Sequence, residues 1–440
     1  MPVSGDIRPA WQPDWADMTP HELFSYLDML FKEDPEDVVP PHIWGPPGVG
    51  KSDIVRQAAY KNFMPAVVEV KMPDADAQKL GKAVGKAIDV LKEEVKRKSE
   101  ERRVFRLVGE DVFFKDVRLL LCDVTDVRGI PVVRGDMAVW VQPVFLPRPG
   151  YERPDGTVDL DRGVLFLDEM PSAPRLVQTA AHQLILKRRI GEYKLPEGWH
   201  VVAAGNPLGV GAIVHQMPSP LANRFIHINL VLSLDDWIEW AIAAHLEPEL
   251  PAFHRSTGGE YLFNIRFYEE GRMAFPTPRS WEFVDRQLKM FKKRYRTIPP
   301  KEDSARTLLQ KAIEGCVGPE VAGDFFGFLE YKDKMPDPLD VLDRSIMNPK
   351  DILHEDLGLL WAFYAQLQAV LANSKGKTLY RRFANFLKFV DQLDRDMAVV
   401  MVGDTVKVLK SRTRFSVQKV PGFERWAKDV ARFVFPWWEL

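Results

Sequence analysis

The stretch Gly45-Pro46-Pro47-Gly48-Val49-Gly50-Lys51-Ser52 constrains this chain more than any other. Gly45, Gly48 and Gly50 let the backbone curl with its N–H groups turned inward, a conformation that side chains would obstruct. The stretch follows the apolar run VVPPHIW at 38–44 and precedes IVRQAAY, which is helical in character. Strand, glycine loop and helix in that order surround an anion with amide groups and a helix N-terminus, which is the arrangement of a phosphate loop. In it Lys51 reaches the β- and γ-phosphates of a nucleotide, and Ser52 holds Mg²⁺.

The chain around this loop supplies a matching fold. Short apolar runs at 38–44, 66–70, 117–121, 164–168 and 200–205 alternate with helical segments between about 37 and 232. Such alternation predicts an α/β class, a mostly parallel sheet with helices on both faces. Thr19-Pro20-His21-Glu22 is a capping box with proline at the first helical position, so a helix starts there, preceded by an arm without periodicity over 1–18. Residues 74–106 read as a long inserted helix with a mixed-charge far end. Beyond Leu234 the pattern is helical, and aromatic stripes at 361–371 and 383–390 read as core. Proline-containing joints at 297–300 and 335–339 are expected boundaries.

Val164-Leu165-Phe166-Leu167-Asp168-Glu169 is an apolar strand ending in two acids. Asp168 would then stand at the carboxyl edge of the sheet, where ligands of open α/β folds bind, and would orient Mg²⁺. Glu169 is suited to take a proton from an attacking water, a step that hydrolysis requires. Asn206 ends the next apolar run, HVVAAGN, and is expected at the same edge as a water-positioning group.

Taken in order, GPPGVGKS, GVLFLDE, VVAAGNP, LANRF at 221–225 and TPRS at 277–280 resemble the motifs of AAA+ ATPases, with the MoxR-like group most similar. The resemblance implies a nucleotide-binding core over 37–232 and a helical lid over 233–335; the 74–106 insert departs from the MoxR-like pattern, and the N-terminal arm and helix over 1–36 and the C-terminal helical extension over 336–440 are read from composition and the proline joints. The resemblance also implies ATP and Mg²⁺ as cofactors, with Arg224 reaching the γ-phosphate of a neighbouring subunit and Arg279 touching the phosphates of its own. A planar guanidinium that stays charged suits both roles. Arg188 and Arg189 are rivals for the part in trans. DMAVWVQPVFLP at 136–147 and RRIGEYKLPEGW at 188–199 are similar to two hairpins of the helix-2-insert branch, the first presenting Trp140 to a central channel, although ordinary sheet-edge hairpins would read the same.

Other chemistry is argued against. Sixty Lys and Arg against 62 Asp and Glu give a net charge of −2, so no bulk field holds the chain on nucleic acid or an acidic membrane. FKKRYR at 291–296 interleaves base and aromatic as a nucleic-acid contact would, yet cations at a helix C-terminus are the commoner explanation. Cys122 and Cys316 are too few and too far apart for a disulfide framework or zinc knuckle; His21-Glu22 and His354-Glu355 each lack the second histidine of a zinc-protease helix. No segment approaches a membrane span and the start lacks a secretory pattern, so a cytoplasmic location is expected. The expected function is a ring-forming, homo-hexameric ATP hydrolase that remodels a protein client, with a von Willebrand factor A-domain partner implied by the resemblance. A nucleic-acid translocase or restriction-type motor of the McrB-like kind is the alternative.

Overall fold

The computed structural model describes residues 15–64, 112–143, 145–151, 159–190, 193–207, 217–330, 336–344, 357–412 and 415–430. The strand expected at 66–70 and the inserted helix expected at 74–106 lie outside them. The chain forms two compact units, one of residues 1–45 with 51–230, the other of residues 46–50 with 231–440.

The strands of the first unit are β1 (Ala16–Met18), β2 (Pro41–Trp44), β3 (Phe114–Arg118), β4 (Ile130–Arg134), β5 (Met137–Val141), β6 (Arg162–Asp168), β7 (Arg189–Ile190), β8 (Tyr193–Lys194), β9 (Gly198–Gly205) and β10 (Ile226–Leu230). Its helices are α1 (Pro20–Leu30), α2 (Lys51–Phe63), α3 (Val124–Arg128), α4 (Arg175–Lys187) and α5 (Ser219–Ala222). Six strands make one parallel sheet in the order β1-β10-β2-β9-β6-β3. The α/β class expected from the alternating runs is the observed one.

Both faces of the sheet are covered, which is why VLFL in β6 is uninterruptedly apolar. Leu165 and Leu167 share one core with Val201 and Ala203 of β9 and with Val177, Ala181 and Leu184 of α4. On the opposite face α2 packs against β6 and β9, and the ring of Phe31 lies 5.5 Å from Phe63 and 5.2 Å from His200. Each such apolar side chain contributes about 1.5–3 kcal/mol by leaving water. Buried within this unit, Lys115 Nζ meets Asp159 Oδ1 at 2.8 Å, and Asp159 Oδ2 accepts the Arg148 N–H at 2.7 Å.

Local sequence accounts for the ends of several elements. At α1 the Glu22 N–H donates to Thr19 Oγ1 at 3.3 Å and the Thr19 N–H to Glu22 Oε2 at 2.8 Å, completing the capping box. The strand expected over 117–121 instead spans Phe114–Arg118, and Leu119–Leu121 form a 3₁₀ turn with Leu121 75% exposed. The ladder explains the shift: Arg118 pairs with Asp168, the last residue of β6, so no partner strand continues beyond it. The arm expected to lack structure ends in β1, which pairs with β10 and adds a bond from Asn229 Nδ2 to Asp17 Oδ1 at 2.7 Å.

Two antiparallel hairpins stand apart from the main sheet, β4–β5 and β7–β8. The first begins earlier than its apolar alternation over 136–147 suggests, because Ile130–Arg134 supplies its first strand and Gly135, at φ +63, opens its two-residue turn.

The regular elements described in the second unit are helices. Its helices are α6 (Leu234–Ala243), α7 (Glu249–Ser256), α8 (Arg266–Glu269), α9 (Pro278–Tyr295), α10 (Asp303–Val317), α11 (Pro319–Glu330), α12 (Leu357–Asn373), α13 (Gly376–Val390), α14 (Arg395–Arg412) and α15 (Phe423–Val430). Trp281, Phe325, Phe363, Phe383 and Phe386 are buried in one continuous core, so side chains from both sides of the joint at 335–339 share it. The aromatic stripes at 361–371 and 383–390 are core, as their helical spacing implies. Arg255 of α7 binds Asp235 of α6 at 2.5 Å and Asp404 of α14 at 3.3 Å. Among the described residues no helix is long and apolar enough to cross a membrane.

Candidate nucleotide site

All four residues of β2 are buried, and the strand runs directly into the glycine loop. Gly48 and Gly50 hold φ +82 and +95, the left-handed values that glycine adopts without strain. Lys51 and Ser52 then open α2, where unpaired helix N–H groups favour negative charge.

Two sequence-distant segments converge on these two residues. Lys51 Nζ, only 8% exposed, donates to Gly45 O at 2.7 Å and to Asn206 Oδ1 at 2.9 Å. The Ser52 hydroxyl donates to Asp168 Oδ2 at 3.2 Å. Strand order produces this meeting: β9, which delivers Asn206, lies between β2 and β6, which deliver the loop and Asp168. Asn206 was expected near an attacking water; its amide oxygen is observed on the Lys51 ammonium.

Glu169 follows Asp168 at φ +55 and ψ +31, a left-handed conformation uncommon for a residue with a side chain. Its own N–H donates to Asp168 Oδ1 at 2.9 Å. The buried turn Met170–Ser172 comes next, and Gln178 Nε2 fastens it by donating to Pro171 O at 3.3 Å and Ala173 O at 3.0 Å. Sequence reasoning missed the partner of this turn, Gly205. A Cβ there would stand 2.2 Å from Pro171 Cδ, so the ring occupies the space a side chain would need. A glycine ending a buried strand beside the candidate Asn206 was the available signal.

The arginines separate by their surroundings. The Arg188 guanidinium donates to the carbonyl oxygens of Pro35, Pro196 and Trp199 at 3.3, 3.0 and 2.7 Å, and burial pulls its pKa down. It is a staple between segments of its own unit. Arg224, on the turn between α5 and β10, is exposed and makes no polar side-chain contact with a described residue. Arg189 is also exposed, on β7.

Residues Pro46–Gly50 group with the second unit. There, a Cβ on Gly48 would lie 3.2 Å from Thr277 Oγ1 and 3.5 Å from Arg279 Cβ, so the start of α9 closes on the glycine loop. That start is rigid, because Thr277 Oγ1 accepts the Ser280 N–H at 3.0 Å and Ser280 Oγ accepts the Thr277 N–H at 2.7 Å. Arg279 is exposed in the first turn of α9. At the other end of α9, Lys292 pairs with Glu247, and Lys289 Nζ donates to His245 O at 2.8 Å.

The donor set suits Mg²⁺, which binds through few protein oxygens and keeps its waters. Ser52 Oγ and Asp168 supply such oxygens side by side, and among the described residues no three His, Cys, Asp or Glu side chains converge as a softer metal would require.

No protein family matches the sequence, and no curated protein does. Among solved structures, a point mutant of RuvB from Thermotoga maritima is similar at 12% identity and a TM-score of 0.26, covering 92% of this chain and 84% of that one. A likeness at that level carries no argument about fold or function.

Proposed function

We propose that this chain is an ATP hydrolase of the AAA+ superfamily. The observation that carries the reading is the convergence of Lys51 on Asn206 at 2.9 Å and of Ser52 on Asp168 at 3.2 Å, which brings residues 116 or more apart in sequence onto one loop. In this reading Lys51 neutralises the β- and γ-phosphates, and the backbone of Gly45–Gly50 cradles them. Ser52 and Asp168 would hold Mg²⁺, which supplies charge neutralisation between the phosphates when bound. Glu169 accepts the proton of the attacking water from the turn that follows β6. Asn206 holds the Lys51 ammonium in place, and on the motif resemblance alone Arg279 contributes a second positive charge to the phosphates.

Exposed and without a polar partner among described residues, Arg224 suits a role in a neighbouring subunit's site, and we therefore read the assembly as a homo-hexameric ring. The MoxR-like reading, a chaperone that remodels a protein client beside a von Willebrand factor A-domain partner in the cytoplasm, rests on the motif resemblance. The β4–β5 hairpin supports a client-facing role: among the described residues Val133 is 77% exposed, Met137 70% and Trp140 39%. For the McrB-like alternative, the cations of the basic cluster at 291–296 end α9, where a helix C-terminus favours them in any case, and Lys292 pairs with Glu247.

Two variants test the ATPase reading. Lys51→Ala abolishes ATP binding in a titration, and Glu169→Gln retains binding but stops turnover. Unchanged affinity in the first, or near-native hydrolysis in the second, refutes the assignment. ATPase activity stimulated by DNA or RNA, with binding that falls steeply with salt, would move the function to the translocase.

A further inference from the structure

His227 joins two parts of the first unit that the ATPase mechanism treats separately. Trp44, the last residue of β2, directly precedes Gly45 of the glycine loop. Its indole Nε1–H donates to His227 Nδ1 at 2.9 Å. With that lone pair engaged, the imidazole proton sits on Nε2, which donates to Ala222 O at 2.8 Å. Ala222 ends α5, two residues before Arg224.

The turn carrying Arg224 hangs on the same carbonyl. Ala222 O also accepts the Phe225 N–H at 3.3 Å, and the Arg224 N–H donates to Leu221 O at 3.1 Å. An aromatic layer holds the imidazole in plane with its partners. Trp15 stacks on Trp44 at 4.4 Å and on His227 at 5.9 Å; His42 lies 4.1 Å from Trp44, and Phe225 meets His42 edge-on at 5.3 Å. Leu221 and Phe225, on either side of the turn, are buried while Arg224 is exposed. The guanidinium is therefore presented from a fixed backbone whose position is referred, through one ring, to the residue before the phosphate loop.

We infer that Trp44 and His227 are positioning residues for Arg224, tying the arginine each subunit offers its neighbour to that subunit's own phosphate loop. The inference rests on the reading of Arg224 as a group acting in trans. A displacement of the loop moves Trp44 and, through two hydrogen bonds in series, the carbonyl from which the arginine turn hangs. The Trp44 indole N–H is spent on His227 and the His227 Nε2 on Ala222 O, so the effect of removing the link falls on the neighbour's catalysis.

Mixed assemblies of full-length chains locate the defect. Trp44→Phe keeps a ring in the aromatic layer and deletes the N–H donor. It is expected to bind ATP within about twofold of the wild type and to assemble normally by native mass spectrometry. Its hydrolysis is expected to fall by about 10- to 100-fold, the scale of a misplacement of about 1 Å at a reacting group. Mixed with Lys51→Ala, it regains activity above either parent, because its intact loop meets a competent arginine. Mixed with Arg224→Ala, it stays silent, because neither parent offers a competent arginine.

The reverse pattern, rescue by Arg224→Ala and not by Lys51→Ala, places the defect in the loop itself and overturns the inference, as does wild-type hydrolysis by Trp44→Phe. Mixing Lys51→Ala with Arg224→Ala is the reference. If mixed rings of that pair are inactive, the reading of Arg224 in trans fails and takes the inference with it; if they are active, failure of the Trp44→Phe rescue counts against the inference alone. Should Trp44→Phe not fold, His227→Phe deletes both bonds with the layer filled, and His227→Gln, which keeps a donor and an acceptor, is expected to restore part of the activity.

Discussion

Replacing Gly205 with alanine should slow turnover without weakening nucleotide binding. The added Cβ would stand 2.2 Å from Pro171 Cδ and 2.5 Å from Pro171 Cγ. Carbon atoms in contact settle at about 3.5–4.0 Å, so the proline ring must retreat by about 1.5 Å or β9 must give way. The ring has little freedom to do so, since Met170, Pro171 and Ser172 are buried and Gln178 holds the Pro171 carbonyl. The displacement reaches Glu169, two residues back and already at φ +55. Movement of about 1 Å at a reacting group costs on the order of 100-fold in rate, and overpacking adds about 1–3 kcal/mol of destabilisation. Single-turnover ATP hydrolysis should therefore fall by about 10- to 100-fold, with ATP affinity by titration little changed. The double variant Gly205→Ala with Pro171→Ala removes the opposing Cγ and Cδ atoms and should recover much of the rate. Wild-type turnover in the single variant, or a double variant that folds yet stays as slow, would refute the argument that this contact sets the Glu169 turn.

Other outcomes follow from buried groups. His200 and His254 are held near pKa 4 and 3 by burial, and burial, then His227 and Lys51, lower His42 as well. As pH falls below about 6.5 the unfolded chain takes up protons the folded one refuses, so stability that is full above that pH is lost, by about 1.4 kcal/mol per pH unit for each histidine. Urea unfolding at pH values from about 7.5 to 5 should show the wild type losing about 2 kcal/mol more than His254→Leu; a pH-independent difference would count against a neutral buried His254. Lys115→Met leaves the Asp159 carboxylate buried beside an apolar chain and should cost about 3–5 kcal/mol in chemical denaturation. Arg188→Ala should lower the melting temperature yet hydrolyse ATP near the wild-type rate below it, with no gain over its own activity when mixed with Lys51→Ala, because it loses a staple and leaves Arg224 in place.

What the sequence makes legible here is what local pattern determines. The capping box at Thr19, the phosphate loop and the acids closing VLFLDE are each written in a few neighbouring residues whose chemistry fixes their geometry. The strand ends were harder to read, because they depend on partners. VRLLL is apolar to Leu121, yet the strand stops at Arg118 where β6 runs out. Ala16–Met18 has no alternation to read and is a strand only because β10 is beside it. In β10 itself, His227 and Asn229 alternate with Ile228 and Leu230, and those polar residues stay in the sheet by bonding Trp44 and Asp17. Gly205 looked like an ordinary strand residue, since its importance lies in a proline 34 positions earlier.

The arginines show why residue type and order alone stop short of a role. Arg188 and Arg224 have the same five donors and the same charge, and both lie near a strand of one sheet. At Arg188, α4 ends in a left-handed residue, at φ +51, which places the guanidinium among backbone carbonyls, and every bond it makes is spent within its own unit. At Arg224 the flanking Leu221 and Phe225 take the buried positions, and the side chain between them is left in solvent with no polar contact to a described residue. Desolvating a guanidinium is costly, so one already satisfied by carbonyls gains little from a phosphate, whereas one held on a fixed turn in water loses only its hydration on meeting it. That difference makes Arg224 the stronger candidate of the two for the proposed role in trans, and it comes from packing around the turn that no motif spells out.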